Sequence, residues 1–378
     1  MRPPSAAPTS AKPLLPKPTI TSSPAFGAED LAPAQQISIA VRSGTIASLQ
    51  LTNPEGKVVK GALSADKTSW TLSEVLGFGK TYSAQGTAVS PDGQQVPISG
   101  TYRTVGSDQQ ARVTITPGDG AVVGIASPII INFPVNPQDR GAIEKALTVT
   151  TTPKVEGSWA WIHHNEGWGV DWRPKSYWPA NTKVHVAAKI YGLRLAAGTY
   201  AGSDLSADFT IGRSQVAYAD AKSFKIVVKQ GCTRVSDPNS CARTVATYPG
   251  SYGSGDDIKD PNRVTRSGIH VVSEKLAVHK MSNPKYGYVN VTEYWDVRIS
   301  SNGEFIHQNQ GTVGDQGVVN VSHGCINLSA ANAKAYFNSA MLGDPVEVTG
   351  TSVALGPKDG DVFDWTIPWS EWQSLSAL

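Results

Sequence analysis

Short alternations of apolar and polar residues, broken by turn formers, run through most of the chain and predict strands rather than helices. Ile37-Ser38-Ile39-Ala40-Val41, Ala47-Ser48-Leu49-Gln50-Leu51 and Lys57-Val58-Val59 each suit a half-buried strand. Asn53-Pro54-Glu55-Gly56 and Pro91-Asp92-Gly93 supply turns, Pro setting φ and Gly accepting positive φ. Further on, Val113-Thr114-Ile115 and Ile129 to Phe133 read as strands. Asp139 is placed to cap one short helix running to Leu147, with Ala142, Ile143, Ala146 and Leu147 at helical spacing. The first 34 residues are different. Eight prolines (Pro3, Pro4, Pro8, Pro13, Pro16, Pro18, Pro24 and Pro33) lie among Ser, Thr and Ala, so residues 1–34 are expected to be a disordered linker.

The pattern divides the rest into modules. Leu76-Gly77-Phe78-Gly79-Lys80-Thr81-Tyr82 has the Leu-x-x-Gly-x-x-Tyr spacing of a tyrosine corner, a mark of immunoglobulin-like sandwiches. Two such sandwiches are expected, at 35–106 and 107–212, acting as rigid spacers. A β-rich domain over 213–350 and a Trp-rich extension over 351–378 follow. The fold class is therefore mainly β. Five of the ten tryptophans fall between Trp159 and Trp178, and alternation puts them on strand faces, where packing outweighs a sugar-binding platform.

Composition narrows the function. With 33 Lys+Arg against 31 Asp+Glu among 378 residues, the formal charge is +2, leaving no basic excess to neutralise a phosphate backbone, so no nucleic-acid partner is expected. Apolar runs such as Ile129 to Ile131 are far short of the roughly 18 residues that span a bilayer. A Pro/Ala/Ser/Thr stretch at a chain start suits a stalk, so a native membrane or lipid anchor upstream and an exported location are expected. His163-His164 resembles a metal pair, but neighbours on a strand point to opposite faces, so no metal is expected. Nor is any cofactor.

The cysteines carry the chemistry. Cys232 and Cys241 flank a turn-rich loop and are either a disulfide of an oxidising compartment or two free thiols. Cys325 is the odd one out, in Val321-Ser322-His323-Gly324-Cys325-Ile326-Asn327-Leu328. A thiol attacks carbonyls as the thiolate and needs an imidazole to take its proton. His307, on the strand-like Glu304-Phe305-Ile306-His307-Gln308, and His323 are the candidates. Gly324 lets the backbone approach a substrate closely, where amide N–H groups can meet an oxyanion. The residues support cysteine acyl transfer without naming a substrate.

His307, fourteen intervening residues, and then Ser322-His323-Gly324-Cys325-Ile326-Asn327 resembles the active-site signature of the YkuD-type L,D-transpeptidases. Gly268-Ile269-His270-Val271 and Gly343-Asp344-Pro345-Val346-Glu347-Val348 are similar to that family's strands around the site. The tail from Asp364 to Trp372 looks like the carboxy-terminal extension of mycobacterial members, which also carry tandem immunoglobulin-like modules. The resemblance implies roles: Cys325 the nucleophile, His307 its base, and the Gln308 main-chain carbonyl orienting the imidazole where familiar members have Ser. It also implies an oxyanion hole from the amides of Gly324 and Cys325. Ser322, His323 and Asn327 would shape the substrate site, and Met281, Tyr286 and Tyr288 would form a lid. The Trp-rich extension would pack on the catalytic domain.

The function so implied is peptidoglycan cross-linking. A tetrapeptide stem is the donor and a second stem the acceptor, joined 3→3 between diaminopimelate residues with release of D-Ala. Carbapenem inhibitors are expected to acylate the thiol. The alternatives are an L,D-carboxypeptidase, with water as acceptor, and a cell-wall binding or scaffolding protein with a weak catalytic domain.

Overall fold

The computed structural model describes residues 15–164, 167–357, 359 and 362–378. The described residues form two compact units, one from within 15–112 with 190–203, the other from within 113–189 with 204–378.

The first unit is a β-sandwich. One sheet orders Thr19–Ser23, Ser38–Arg42, Ser69–Leu72 and Gly61–Leu63; the other orders Ala28–Leu31, Gln95–Thr104, Thr81–Val89, Thr45–Thr52 and Val58–Val59. Their inward residues, among them Ile37, Ile39, Leu51, Trp70, Ala84 and Tyr102, form one core. The tyrosine corner is present: buried Tyr82 accepts the Gly77 N–H on its hydroxyl at 2.7 Å.

Two expectations need correction here. The stretch read as linker supplies two strands, Thr19–Ser23 antiparallel to Ser38–Arg42 and Ala28–Leu31 parallel to Gln95–Thr104. Prolines did not prevent this, because Ile20, Phe26 and Leu31 bury against the core and Phe26 lies 5.8 Å from Tyr102. Pro3, Pro4, Pro8 and Pro13, and the reading of disorder around them, lie outside the described residues. The second correction concerns residues 107–112 and 190–203, assigned by pattern to the second sandwich. Gln110–Ala111 pairs in parallel with Thr199–Ala201, and Phe78 packs its ring 5.5 Å from Tyr191, so these segments belong to the first unit.

The second unit begins with another sandwich. Thr114–Thr116, Ile129–Phe133, Gly167–Pro174 and Gly157–His164 form one sheet; Val122–Val123, Leu205–Ile211, Lys183–Ala188 and Leu147–Thr152 form the other. Asp139 caps the helix Arg140–Lys145, accepting from Ala142 N at 2.9 Å. Trp159, Trp161, Trp172 and Trp178 are buried, as packing residues should be. His163 and His164 face opposite ways: His163 is exposed against Trp168, whereas His164 is buried 3.1 Å from Asp171. Among the described residues no three His, Cys, Asp or Glu side chains converge as metal ligands, and no helix is long and apolar enough to cross a membrane.

After this sandwich come two further sheets around a shared core. Arg243–Pro249, Lys225–Gln230, Gln215–Asp220, Pro345–Thr349 and Gly268–Val271 form a five-stranded sheet. Glu274–Asn283, Tyr288–Arg298, Phe305–Gln308 and Ile326–Leu328 form a four-stranded one, and the helix Ala330–Ser339 follows it. Ala217, Val228, Val297, Ile306, Ile326, Leu328, Tyr336 and Val346 fill the space between. Cys232 and Cys241 are joined by a disulfide.

The tail packs in two parts: its start lies on the catalytic domain, Leu355 N donating to Ser267 O at 2.8 Å and Ser352 N to Asp256 Oδ2 at 3.1 Å, but its tryptophans do not pack where expected. Trp372 buries with Ala160, Ile162 and Phe363 on the second sandwich and donates its indole N–H to Ser158 O at 2.9 Å. Trp365 donates to Ala126 O at 2.8 Å, and the Arg173 guanidinium lies 4.6 to 5.2 Å from the rings of Trp365, Trp369 and Trp372. The cause is the strand Gly157–His164. Its second face is apolar too, and the tail covers it; burying that face and the indoles together gains more than leaving either wet. Trp372→Ala should therefore cost about 3–5 kcal/mol, as for other fully buried aromatics, read as a lower midpoint in chemical denaturation of the whole chain.

Candidate active site

Cys325 ends the loop that begins at Val321, immediately before the strand Ile326–Leu328. The loop is held from within and from below. Ser322 Oγ donates to Cys325 O at 2.5 Å and accepts from Gly324 N at 3.1 Å. Thr265 Oγ1 donates to Gly324 O at 2.7 Å, and Ser254 N donates to Ser322 O at 3.0 Å. Gly324 has φ +130°, a region closed to residues with a Cβ, so only glycine turns the chain here. One consequence differs from expectation. The Gly324 amide, assigned to the oxyanion hole, is spent on Ser322 Oγ within the loop.

His307 reaches the thiol through strand pairing. Phe305–Gln308 runs parallel to Ile326–Leu328, with Ile306 opposite Ile326 and His307 opposite Asn327. That register sets the imidazole beside Cys325, which is the free cysteine of the chain. Nδ1 of His307 lies 2.9 Å from Gln308 O and 3.4 Å from Glu293 Oε2, so Nδ1 carries the proton. The carbonyl contact matches the role given to Gln308, a role indifferent to its side chain. Burial alone would pull the His307 pKa down; hydrogen bonds and charge from Cys325 and Glu293 outweigh it and raise the value to about 10. At neutral pH the imidazole is then an imidazolium, the partner a thiolate needs.

The lid residues lie on the hairpin of Glu274–Asn283 and Tyr288–Arg298. Met281 is near its tip, Tyr286 sits in the turn and Tyr288 opens the returning strand. Rings of Tyr286 and Tyr288 stand 4.8 and 5.7 Å from the His323 ring. Tyr286 is steadied by donating to Asp260 Oδ2 at 3.0 Å. Burial and the nearby Arg263 charge hold the His323 pKa below its usual value, so it presents a neutral ring at pH 7. His323 thus packs as a neutral ring against the two tyrosines expected to form the lid. Asn327 is buried, bonded to Thr312 Oγ1 at 3.3 Å.

Two cavities open at Cys325. The larger, about 630 Å³, is bordered by Met281, Tyr286, Tyr288, His279, His323 and Cys325. The smaller, about 260 Å³, is bordered by Tyr288, His307, Ser322, His323, Cys325 and Asn327. Eight of the ten sequence-predicted substrate and catalytic positions border these cavities; Gln308 and Gly324 do not but adjoin His307 and Cys325 in the chain, whereas the Cys232–Cys241 disulfide borders neither cavity.

Sequence reasoning missed Glu293, Asp296 and His279. Glu293 and Asp296 are three apart, and a regular strand would send them to opposite faces. Trp295 between them has φ +59°, which breaks the alternation. Glu293 then meets His307, while Asp296, buried, bonds His279 Nδ1 at 3.0 Å through Oδ2. Burial raises the Asp296 pKa, with the charges of His307 and His279 pulling it back. The only signal available was two acidic residues in a strand rich in aromatic and β-branched residues.

A thiol beside a buried, carbonyl-anchored imidazole, on a β-rich domain preceded by sandwiches, defines a cysteine-dependent acyltransferase. Residues 28–194 match a bacterial Ig domain and residues 226–348 match the L,D-transpeptidase catalytic domain, YkuD. The chain is 47% identical over 364 residues to L,D-transpeptidase 5 of Mycobacterium tuberculosis, covering 96% of this chain and 78% of that one. It is 33% identical over 362 residues to L,D-transpeptidase 2 of the same species, covering 95% and 85%. The solved structure of the LD transpeptidase LdtMt1 in complex with imipenem is similar at 28% identity and a TM-score of 0.51, over 63% of this chain and 99% of that one. The chain belongs to the YkuD-type L,D-transpeptidases.

Glu293 supplies a testable part of the site's electrostatics. Because the folded pKa of His307 lies above the ordinary value near 6.5, its charge favours the fold at low pH, and this contribution fades as pH rises through about 10. Glu293→Gln should lower that upper limit by roughly one unit, about 1.4 kcal/mol, followed by NMR titration of the His307 imidazole. An unmoved titration would mean that Cys325 alone holds the proton there.

Proposed function

We propose that the protein joins peptidoglycan stems 3→3, with Cys325 as nucleophile. The observation that carries this reading is the pair of cavities meeting at one thiol. A transferase must hold two stems at its nucleophile, a hydrolase only one. The Cys325 thiolate attacks the carbonyl at the L-centre of diaminopimelate in a tetrapeptide donor. As the tetrahedral adduct collapses, the His307 imidazolium gives its proton to the departing D-Ala amine, leaving a thioester. The side-chain amine of a second stem then attacks, and the sulfur leaves as thiolate.

The remaining residues position these events. The Gln308 carbonyl fixes the His307 tautomer, so that Nε2 meets the thiol. Ser322 holds the loop in the form that presents Cys325, leaving the Cys325 amide to stabilise the oxyanion. His323, Met281, Tyr286 and Tyr288 close over the bound stem, and Asn327 borders the smaller cavity. An exported protein acting in the cell wall, held by a native membrane or lipid anchor, fits this substrate and the loop disulfide. Carbapenems are strained acyl donors, so they should acylate the same sulfur.

Cys325→Ala is expected to abolish cross-linking and covalent meropenem adducts together. Intact-protein mass spectrometry checks both, since the wild type should gain one drug mass, mapped to the Cys325 peptide. An undiminished adduct on the variant would remove Cys325 from the nucleophile's role. Products of a tetrapeptide donor, with and without an amine acceptor, separate transfer from hydrolysis by mass.

A further inference from the structure

Transfer to an amine raises a proton problem that a single histidine does not solve. An alkyl amine resembles the lysine side chain, whose pKa is about 10.4, so the acceptor arrives as an ammonium without a lone pair. It must lose one proton before attack and a second as the amide forms. His307, neutral after protonating D-Ala, can take only one of them.

The larger cavity holds a second, separately oriented imidazole. His279 borders it together with Cys325 and Met281. Its Nδ1 is 3.0 Å from Asp296 Oδ2, and Asp296 is fully buried, which fixes the proton on Nδ1 and leaves Nε2 as an acceptor. The His279 side chain is 26% exposed, so a proton accepted there can leave to water. Its ring also packs 5.3 Å from Phe305, on the strand that carries His307. Other charges bordering the cavity are Arg266, Lys280, Lys285, Arg298 and Glu304. The cationic excess suits the carboxylate that neighbours the acceptor amine of diaminopimelate, and it makes the ammonium easier to deprotonate.

Resting on the transpeptidase reading above, we propose that His279, oriented by Asp296, is the base that deprotonates the acceptor ammonium. The His279 Nε2 lone pair takes one proton from R–NH3⁺, leaving R–NH2. The amine lone pair forms the C–N bond at the thioester carbonyl, and the carbonyl π electrons move to oxygen. Collapse breaks the C–S bond, its electron pair staying on the Cys325 sulfur. The amine's second proton passes to His307, which restores the imidazolium–thiolate pair, and protonated His279 gives its proton to solvent.

His279→Gln keeps a donor to Asp296 but cannot accept the proton; Asp296→Asn leaves the tautomer unfixed. In the full chain, His279→Gln should form the covalent meropenem adduct at the wild-type rate; Asp296→Asn also removes a charge that acts on His307, so it is read by its ratio of transfer to hydrolysis. Transfer from a tetrapeptide donor to an amine-bearing stem should fall about 100-fold or more in His279→Gln, with hydrolysis of the thioester rising as a share of product. Hydroxylamine, uncharged at neutral pH, should restore transfer in the variant. The inference is overturned if transfer to the stem persists in His279→Gln, if hydroxylamine transfer falls by the same factor, or if His279→Gln loses adduct formation. A wild-type enzyme that only hydrolyses its donor overturns the transpeptidase reading itself, and this inference with it.

Discussion

Everything at the site depends on one short parallel pairing. Cys325 and His307 are eighteen residues apart, and no local element could bring them together. The match of Ile306 to Ile326 does so, because both side chains are fully buried in the same core and a one-residue slip would turn each outward. With that register locked, His307 faces the site beside Asn327, and the residue before the strand is the thiol. Hydrophobic burial thus sets the geometry, and the polar groups are positioned by it.

Burial also sets the charges under the site, where Glu304 and His270 are compensated by their neighbours. Glu304 lies beneath the turn that faces Cys325, accepting from Arg266 N at 2.9 Å and from Ser300 Oγ at 2.9 Å. Desolvation raises its pKa, while His270 and Arg266 pull it back. His270, itself buried, spans from Ile299 O at 3.0 Å to Arg266 O at 2.8 Å. These bonds hold the turn at Gly303, whose carbonyl oxygen lies 3.5 Å from the Cys325 sulfur. His270 was read only as part of a family strand; its place beneath the active-site turn explains why a histidine can be spent there.

What could be read from sequence follows from which interactions are local. Alternation gave strands such as Ile129–Phe133, and the Asp139 cap gave a helix, because both depend on near neighbours. The signature around Cys325 carried the nucleophile, its histidine and the loop. Glu293 and Asp296 were illegible, since their shared side depends on the left-handed Trp295, which no pattern of polarity announces. The strands Thr19–Ser23 and Ala28–Leu31 were hidden by proline content, since partners nearly twenty residues or more away decide whether such a stretch is ordered. The tail went to the second sandwich because nothing in Asp364 to Trp372 says which apolar face is left open.

That last placement bears on what the second sandwich is for. A spacer should touch its neighbour lightly, with an interface that tolerates sequence change. Here Gly124 approaches so closely that an added Cβ would lie 2.3 Å from Asp344 N, and its own N–H donates to Leu342 O at 2.7 Å. Tyr177 donates to Glu347 Oε1 at 2.8 Å, and the same oxygen accepts from Ser236 N, inside the disulfide-closed loop, at 3.1 Å. Glu347 lies on the strand Pro345–Thr349, which lines the core opposite the site's own sheet. One carboxylate therefore ties the sandwich, the disulfide loop and the catalytic core together, while the tail's tryptophans cover the sandwich's remaining face. The second sandwich is part of the body that holds the catalytic sheet in place, and a truncation that removed it would take Tyr177 from Glu347 and uncover the three indoles of the tail.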